Sequence, residues 1–235
     1  MKYRSDIDGL RTIAVLPVLF YHAGLGFPGG FVGVDVFFVI SGYLITLLIV
    51  SETSKGEFTI LNFYERRARR IFPALFAMMA ATLVAAAVIM IPLDLKDFGK
   101  SIMSTTLFAG NIWFYAKLEY FNETSELQPL LHTWSLAVEE QFYIVWPVFI
   151  LLISRGSRQF RIGAVAFVGL ASFVYSLALT AAASPWAYYS PLSRGWEFAA
   201  GGLLALLVPR GMASRSPRER EFVAWLGLAG IAGSF

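Results

Sequence analysis

The fold class that the sequence predicts is all-α, a polytopic transmembrane helix bundle. Composition is the first reason. The 235 residues are 57% hydrophobic and 15% charged, with a mean hydropathy of +0.63, whereas a soluble domain carries about 25% charged residues. Run length is the second. Phe31–Val50 is twenty residues with one charge, Asp35, and Ile71–Ile91 is twenty-one residues with none. A helix crosses a bilayer core with about 20 apolar residues. The third is uniformity: barrel strands would alternate apolar and polar residues over roughly ten positions.

The elements follow in order. Leu10–Phe27 is the first expected helix, with Pro17 placed to kink it. It lacks a small-residue cleavage site and therefore reads as a retained helix, not a leader. Phe31–Val50 is the second. Between them Gly24-Leu25-Gly26-Phe27-Pro28-Gly29 matches G-x-G-x-x-G, but a dinucleotide site needs a strand before the glycines and a helix after them. These glycines, with Gly30 and Gly33, are expected to give a tight re-entry instead. Ile71–Ile91, Leu136–Ile153, Ile162–Ala183 and Ser190–Val208 make six complete helices. A seventh starts near Phe222 and stops at Phe235. One transmembrane domain is thus expected over residues 1–235, incomplete at its C-terminus and without a soluble domain. It would have six to seven spans.

Ile102–Tyr115 is apolar but short, and it contains Gly110 and Asn111. Basic residues decide its placement, because short cytoplasmic loops are enriched in lysine and arginine. If it does not span, fifteen of the basic residues fall inside and four outside (Lys96, Lys100, Lys117 and Arg194). If it spans, the split is ten to nine. The first topology is adopted. It puts the N-terminus in the cytoplasm and makes Ile102–Tyr115 an interfacial or re-entrant helix on the outer side, with Trp113, Tyr115 and Tyr120 suited to an interface.

Polar groups then converge. Arg11 and His22 are eleven residues apart, within about 20° of three full helical turns, so they share one face about 16 Å apart. Asp35 lies about 6 Å below the outer surface on the second helix, and Glu139 and Glu140 about 10 Å below the start of the fourth. His132, Ser135 and Glu139 form one polar stripe at i, i+3, i+7. Ionisable groups within spans are costly and usually functional. A lone histidine on an apolar helix is more often a satisfied core residue, and the carboxylates could simply snorkel or pair with Arg194. Three helices placing His22, Asp35 and Glu139/Glu140 in one leaflet argue instead for a base and its orienting carboxylate, suited to taking a proton from a hydroxyl. Arg66, Arg67, Arg69 and Arg70 stand at the expected cytoplasmic mouth of the third helix. They read either as an anchor on anionic lipid or as a phosphate clamp of two interlocked R-x-x-R pairs. The chain has no cysteine and only two histidines, His22 and His132. Disulfides and thiolate chemistry are thereby excluded, and no metal site is expected. The basic residues lie at membrane boundaries, which argues against a nucleic-acid partner.

These residues resemble the acyltransferase-3 family of membrane acyltransferases, most closely its bacterial surface-polysaccharide O-acetyltransferases. Four blocks carry the likeness: DGLRTIAVLPVLFYH, GGFVGVDVFFVISGYLIT, FYERRARRIFPAL and LLHTWSLAVEEQFYIVWP. A weaker fifth is PLSRGWEFAAGGLLAL. The resemblance implies transfer of an acyl group, usually acetyl from cytoplasmic acetyl-CoA, to a sugar hydroxyl of an extracytoplasmic glycan such as O-antigen lipopolysaccharide, exopolysaccharide or peptidoglycan. It implies a multi-pass protein of the bacterial inner membrane, with the bilayer, acyl-CoA and a surface or lipid-linked glycan as partners. Acetyl-CoA would be a substrate, with no cofactor tightly bound. The family's motifs map onto Arg11 and His22, onto the Arg66–Arg70 cluster and onto Glu139 and Glu140. On that mapping His22, oriented by Asp35 or by Glu139 and Glu140, would be catalytic, as a base or by carrying the acetyl group itself, and Arg11, Arg66, Arg67, Arg69 and Arg70 would hold the CoA. His132, Ser135 and Arg194 would contact the acceptor. The family usually has about ten helices, so this chain reads as truncated. Transport or flipping of a lipid-linked or anionic solute is the competing expectation, and a non-catalytic remnant is a third. No internal repeat supports the transporter.

Overall fold

The computed structural model describes residues 5–121, 128–208 and 217–233. The described residues form helices and no strand. In chain order these are α1 (Ser5–His22), a 3₁₀ turn at Gly30–Val32, α2 (Gly33–Thr53), α3 (Ile60–Ile89), α4 (Pro92–Thr106) and α5 (Gly110–Phe121). Then come α6 (Thr133–Ser154), α7 (Arg158–Ala181), the short α8 (Trp186–Tyr189), α9 (Pro191–Leu207) and α10 (Pro217–Ala232). Lys2, Arg4, Arg210, Arg215 and the side chain of Tyr120 lie outside the described residues.

Among the described residues, four helices are long and apolar enough to cross a membrane: Gly30–Thr53, Ile60–Ile89, Thr133–Ser154 and Arg158–Ala181. Large apolar side chains on their flanks face outward, with Val88 83% and Phe167 72% exposed. Such faces suit lipid and not water, and the chain is a membrane protein. The other expected spans are α1, which carries Asp6, Asp8 and Arg11 in its 18 residues, α9 with 17 residues and α10 with 16.

Boundaries differ from the hydropathy reading for local reasons. α1 is already helical at Ser5, five residues before Leu10, and it ends at His22, ahead of Gly24 and Gly26 at positive φ. α3 begins at Ile60, not Ile71. The hydroxyl of Thr59 accepts from the Asn62 amide, so the arginine cluster is helical and continuous with the apolar run. Pro92 ends the path of α3 by pushing Ile91 to extended backbone, then opens α4 as its first residue.

The largest correction concerns Ile102–Tyr115, which is not one helix. α4 ends at Thr106 and α5 starts at Gly110, with Phe108 between them at φ +52. No glycine or proline sits at the break itself. The side chain of Gln141 holds it, donating to the Phe108 carbonyl (2.7 Å) and to Asn111 Oδ1 (2.9 Å). Asn111 in turn donates to the Tyr189 carbonyl at 3.0 Å.

The chain divides into two compact units. The first comprises Met1–Val50, Ile150–Phe173 and Gly195–Phe235, and the second Ser51–Phe149 and Val174–Arg194. In the first, missing side chains allow backbones to touch. A Cβ on Gly33 would lie 2.0 Å from the Ala14 carbonyl oxygen, so α1 rests directly on the start of α2. This is the tight re-entry expected of those glycines. A Cβ on Gly42 would lie 2.1 Å from the Phe198 oxygen, and one on Gly201 2.0 Å from the Val39 oxygen. α2 and α9 therefore cross in backbone contact, as small residues allow within membranes, with Phe38 stacked on Phe198 at 4.6 Å. In the second unit, the Lys117 ammonium is 2.6 Å from Asp97, tying α5 to α4, and the Tyr64 hydroxyl donates to the Ile144 carbonyl (2.9 Å), tying α3 to α6.

Candidate functional site

In the first unit α1 carries both Arg11 and His22. Arg11 is half-buried, 4.0 Å from Asp8 one turn earlier and over the Phe37 ring at 5.7 Å. His22 is the last residue of the helix and is exposed. Its Nδ1 lies 2.8 Å from the Val18 carbonyl oxygen. A carbonyl can only accept, so Nδ1 carries a proton, and in the neutral ring Nε2 is the nitrogen with the lone pair. The expected orienting carboxylate is thus replaced, at Nδ1, by a backbone carbonyl of the same helix. The edge of Tyr21 flanks the ring at 5.2 Å. Asp35 sits in the first turn of α2, where the helix dipole stabilises a carboxylate.

In the second unit Arg67 reaches the middle of α6. Its Nη2 is 3.3 Å from Glu140 Oε1, and its guanidinium lies 3.8 Å over the Tyr143 ring. The Tyr143 hydroxyl donates to Glu139 Oε1. Glu139 is buried, and the Arg67 and Glu140 side chains are only 14% and 12% exposed. A cavity of about 170 Å³ opens beside them, lined among others by Tyr64, Phe72, Phe108 and Ile144. This corrects the expected separation of arginines at one surface from glutamates in the opposite leaflet. Arg67 and Glu140 share one level, because α3 is helical from Ile60 and carries Arg67 about 10 Å along its axis.

The other three arginines face differently. Arg66 is 2.8 Å from Glu52 and half exposed, Arg69 is 2.6 Å from Glu65 and 79% exposed, and Arg70 is exposed. The arginine side chains around the start of α3 therefore differ in burial and in partners.

His132 is exposed just before α6, and its carbonyl accepts from Ser135 Oγ at 3.2 Å. Arg194 lies over the rings of Trp134 (5.8 Å) and Tyr188 (5.1 Å), which brings it to the first turn of α6. His22 and Asp35 fall in one unit, and Glu139 and Glu140 in the other. Sequence reasoning passed over Tyr143, Tyr64 and Gln141. Tyr143 had a readable signal: it is i+4 from Glu139 and i+3 from Glu140, on their helix face. Among the described residues, no three His, Asp or Glu side chains gather as a metal site would require.

The comparisons with known proteins point one way. The profile of the acyltransferase-3 family, described as an acyltransferase domain, matches residues 4–235. Peptidoglycan O-acetyltransferase OatA of Listeria monocytogenes is 34% identical over 97% of this chain and 38% of its own length. A putative peptidoglycan O-acetyltransferase of Bacillus subtilis, YrhL, is 35% identical over 88% of this chain and 34% of its own length. A putative O-acetyltransferase of Staphylococcus aureus is 38% identical over 75% of the chain and 31% of its own length. The chain thus spans about a third of the length of these relatives. No solved structure matches it.

Proposed function

This chain belongs to the acyltransferase-3 family, and on that premise we propose that it serves a membrane O-acyltransferase that moves acetyl from acetyl-CoA to a sugar hydroxyl of peptidoglycan. The relatives' names support the acetyl group and the acceptor. The protein would lie in the cytoplasmic membrane with its N-terminus inside. The charge asymmetry of the sequence supports that orientation.

The observation that carries the chemistry is the hydrogen bond from His22 Nδ1 to the Val18 carbonyl. It fixes the tautomer and leaves Nε2 as a base at an exposed helix end. Nε2 takes the hydroxyl proton as the sugar oxygen bonds to the thioester carbonyl carbon. The carbon–sulfur bond then breaks, and the thiolate leaves with the proton that His22 returns. General base catalysis of this kind supplies about a hundredfold or more.

Arg11, one face along the same helix, would place the thioester arm. The CoA phosphates would fall to Arg66, Arg69 and Arg70, whose guanidiniums are half or more exposed. Arg67, held by Glu140 and Tyr143, would instead position α3 against α6. His132, Ser135 and Arg194 would meet the sugar.

Membranes bearing this chain, or the longer protein that contains it, are incubated with acetyl-labelled acetyl-CoA and a peptidoglycan acceptor. His22→Ala should lower label transfer into glycan about a hundredfold or more while insertion is unchanged. Transfer by His22→Ala at the wild-type rate would overturn the role of His22.

A further inference from the structure

The last turns of α2 and α9 and the first turn of α7 surround a second cavity of about 170 Å³, within the unit that also holds α1. Leu47, Val50, Ala205 and Leu206 make its apolar walls, and Arg158 and Arg161 supply its charge. None of these residues has a part in the acyl transfer proposed above.

The two arginines are held differently. Arg158 Nη2 donates to the carbonyls of Leu206 and Leu207, both at 3.1 Å, and so closes the C-terminus of α9. That contact fixes the guanidinium at the rim of the cavity and leaves its other donors available. Arg161 lies one turn further along α7. Its Nε is buried and makes no hydrogen bond among the described residues. Buried donors are nearly always paired, so an unpaired guanidinium nitrogen at a cavity calls for an acceptor. The start of α7 adds partial positive charge, with the Phe160 amide capped by Ser157 Oγ at 3.1 Å.

The surroundings indicate which acceptor. α7 spans about 36 Å and turns apolar side chains outward, with Phe160 58%, Phe167 72% and Leu170 63% exposed. The cavity therefore sits at the polar end of a lipid-facing helix, where headgroups lie. A ligand there meets guanidiniums at its head and an apolar wall along its tail.

We propose that this cavity is a phosphate site, built by Arg158 and Arg161, that holds the headgroup of an anionic phospholipid. Arginine binds phosphate oxygens bidentately, and the apolar walls favour a lipid over a soluble phosphate ester. The proposal does not rest on the acyltransferase reading.

The test uses the purified full chain in detergent, with bound lipid counted by native mass spectrometry. The probes are dioleoyl phosphatidylglycerol and, as the uncharged reference, dioleoyl phosphatidylcholine. The wild type should retain phosphatidylglycerol about tenfold better than phosphatidylcholine. Arg161→Gln should abolish the preference and Arg161→Lys should keep part of it. Arg155→Gln, an exposed arginine on the same connection and outside the cavity, should leave the preference intact. Equal loss in Arg155→Gln and Arg161→Lys would mean diffuse charge at a helix end and would overturn the site, as would no preference in the wild type. Displacement of the lipid by equimolar adenosine 3′,5′-bisphosphate would overturn the lipid as its occupant. Comparing Arg155→Gln with Arg161→Lys keeps the test decisive if Arg161→Gln does not fold.

Discussion

Arg67 and Glu140 form an ion pair in which neither side chain is more than 14% exposed, at a nitrogen–oxygen distance of 3.3 Å. At an effective dielectric of about 20, two unit charges at that distance attract by about 5 kcal/mol. Desolvation of both groups offsets much of this, but it has already been incurred when one partner is removed. Breaking a buried pair therefore costs about 3–5 kcal/mol. The guanidinium also lies 3.8 Å over the Tyr143 ring, a contact worth about 2 kcal/mol when desolvated. Glu140→Gln should destabilise the second unit by about 3 kcal/mol, because it strands Arg67. Arg67→Met should cost somewhat more, since it strands Glu140 and also removes the ring contact. The double variant should be more stable than the two single costs predict, with a coupling of about 3 kcal/mol. The assay is unfolding of the detergent-solubilised chain, followed by a probe on α3 or α6. A coupling below about 0.5 kcal/mol, the range of solvent-exposed pairs, would refute the reasoning and return Arg67 to the surface cluster.

Two further outcomes follow from the fold. Gly42→Ala should disrupt the α2–α9 crossing, because its Cβ would sit 2.1 Å from the Phe198 oxygen, whereas Gly163→Ala on α7 meets nothing within 4 Å and should be neutral or slightly stabilising; thermal unfolding of the two variants in parallel checks this, and equal stability would count against the crossing. Hydrogen bonds from Lys100 and Lys117 hold the Asp97 carboxyl down to about 2, below its usual 3.8. The group is depressed on folding, so its stabilisation is present above pH 3.8 and is lost as the pH falls through about 2. The stability gap between wild type and Asp97→Asn should close over that window, and a gap independent of pH would be the contrary result.

How much of this was legible in the sequence depends on how far apart the interacting groups are. The apolar runs of α2, α3, α6 and α7 announce themselves, because hydropathy sums over one segment. The stop at Pro92 is equally local. The re-entry glycines could be recognised as small, and the contact of Gly33 with Ala14 lies within 19 positions. The break at Phe108 was not legible. Nothing at residues 107–109 demands it, and the side chain that stabilises it, Gln141, comes 33 residues later. The Arg67–Glu140 pair spans 73 residues, which local periodicity cannot bridge. Expecting arginines and glutamates at opposite surfaces treated α3 as starting where its apolar run starts. The Thr59 cap shows the helix beginning eleven residues earlier, and that extension carries Arg67 to α6.

The same extension decides between the two interlocked R-x-x-R pairs, which spacing alone leaves equivalent. At 100° per residue, Arg66, Arg69 and Arg70 fall within about 100° of one another, and Arg67 stands about 60° beyond Arg70. One edge of a four-arginine face must therefore turn toward whatever packs against α3. Here that neighbour is α6, and it offers Glu140 and the Tyr143 ring at that edge. The remaining three stay accessible; Arg66 pairs with Glu52 at the end of α2, and Arg69 with Glu65 one turn earlier on α3. Those contacts are exposed and worth little, so a phosphate ligand could displace them at small cost. Displacing Glu140 from Arg67 would strand a buried carboxylate. Four arginines within five positions are thus divided by burial into one held against α6 and three that stay accessible, and the division follows from helical phase together with a single neighbour.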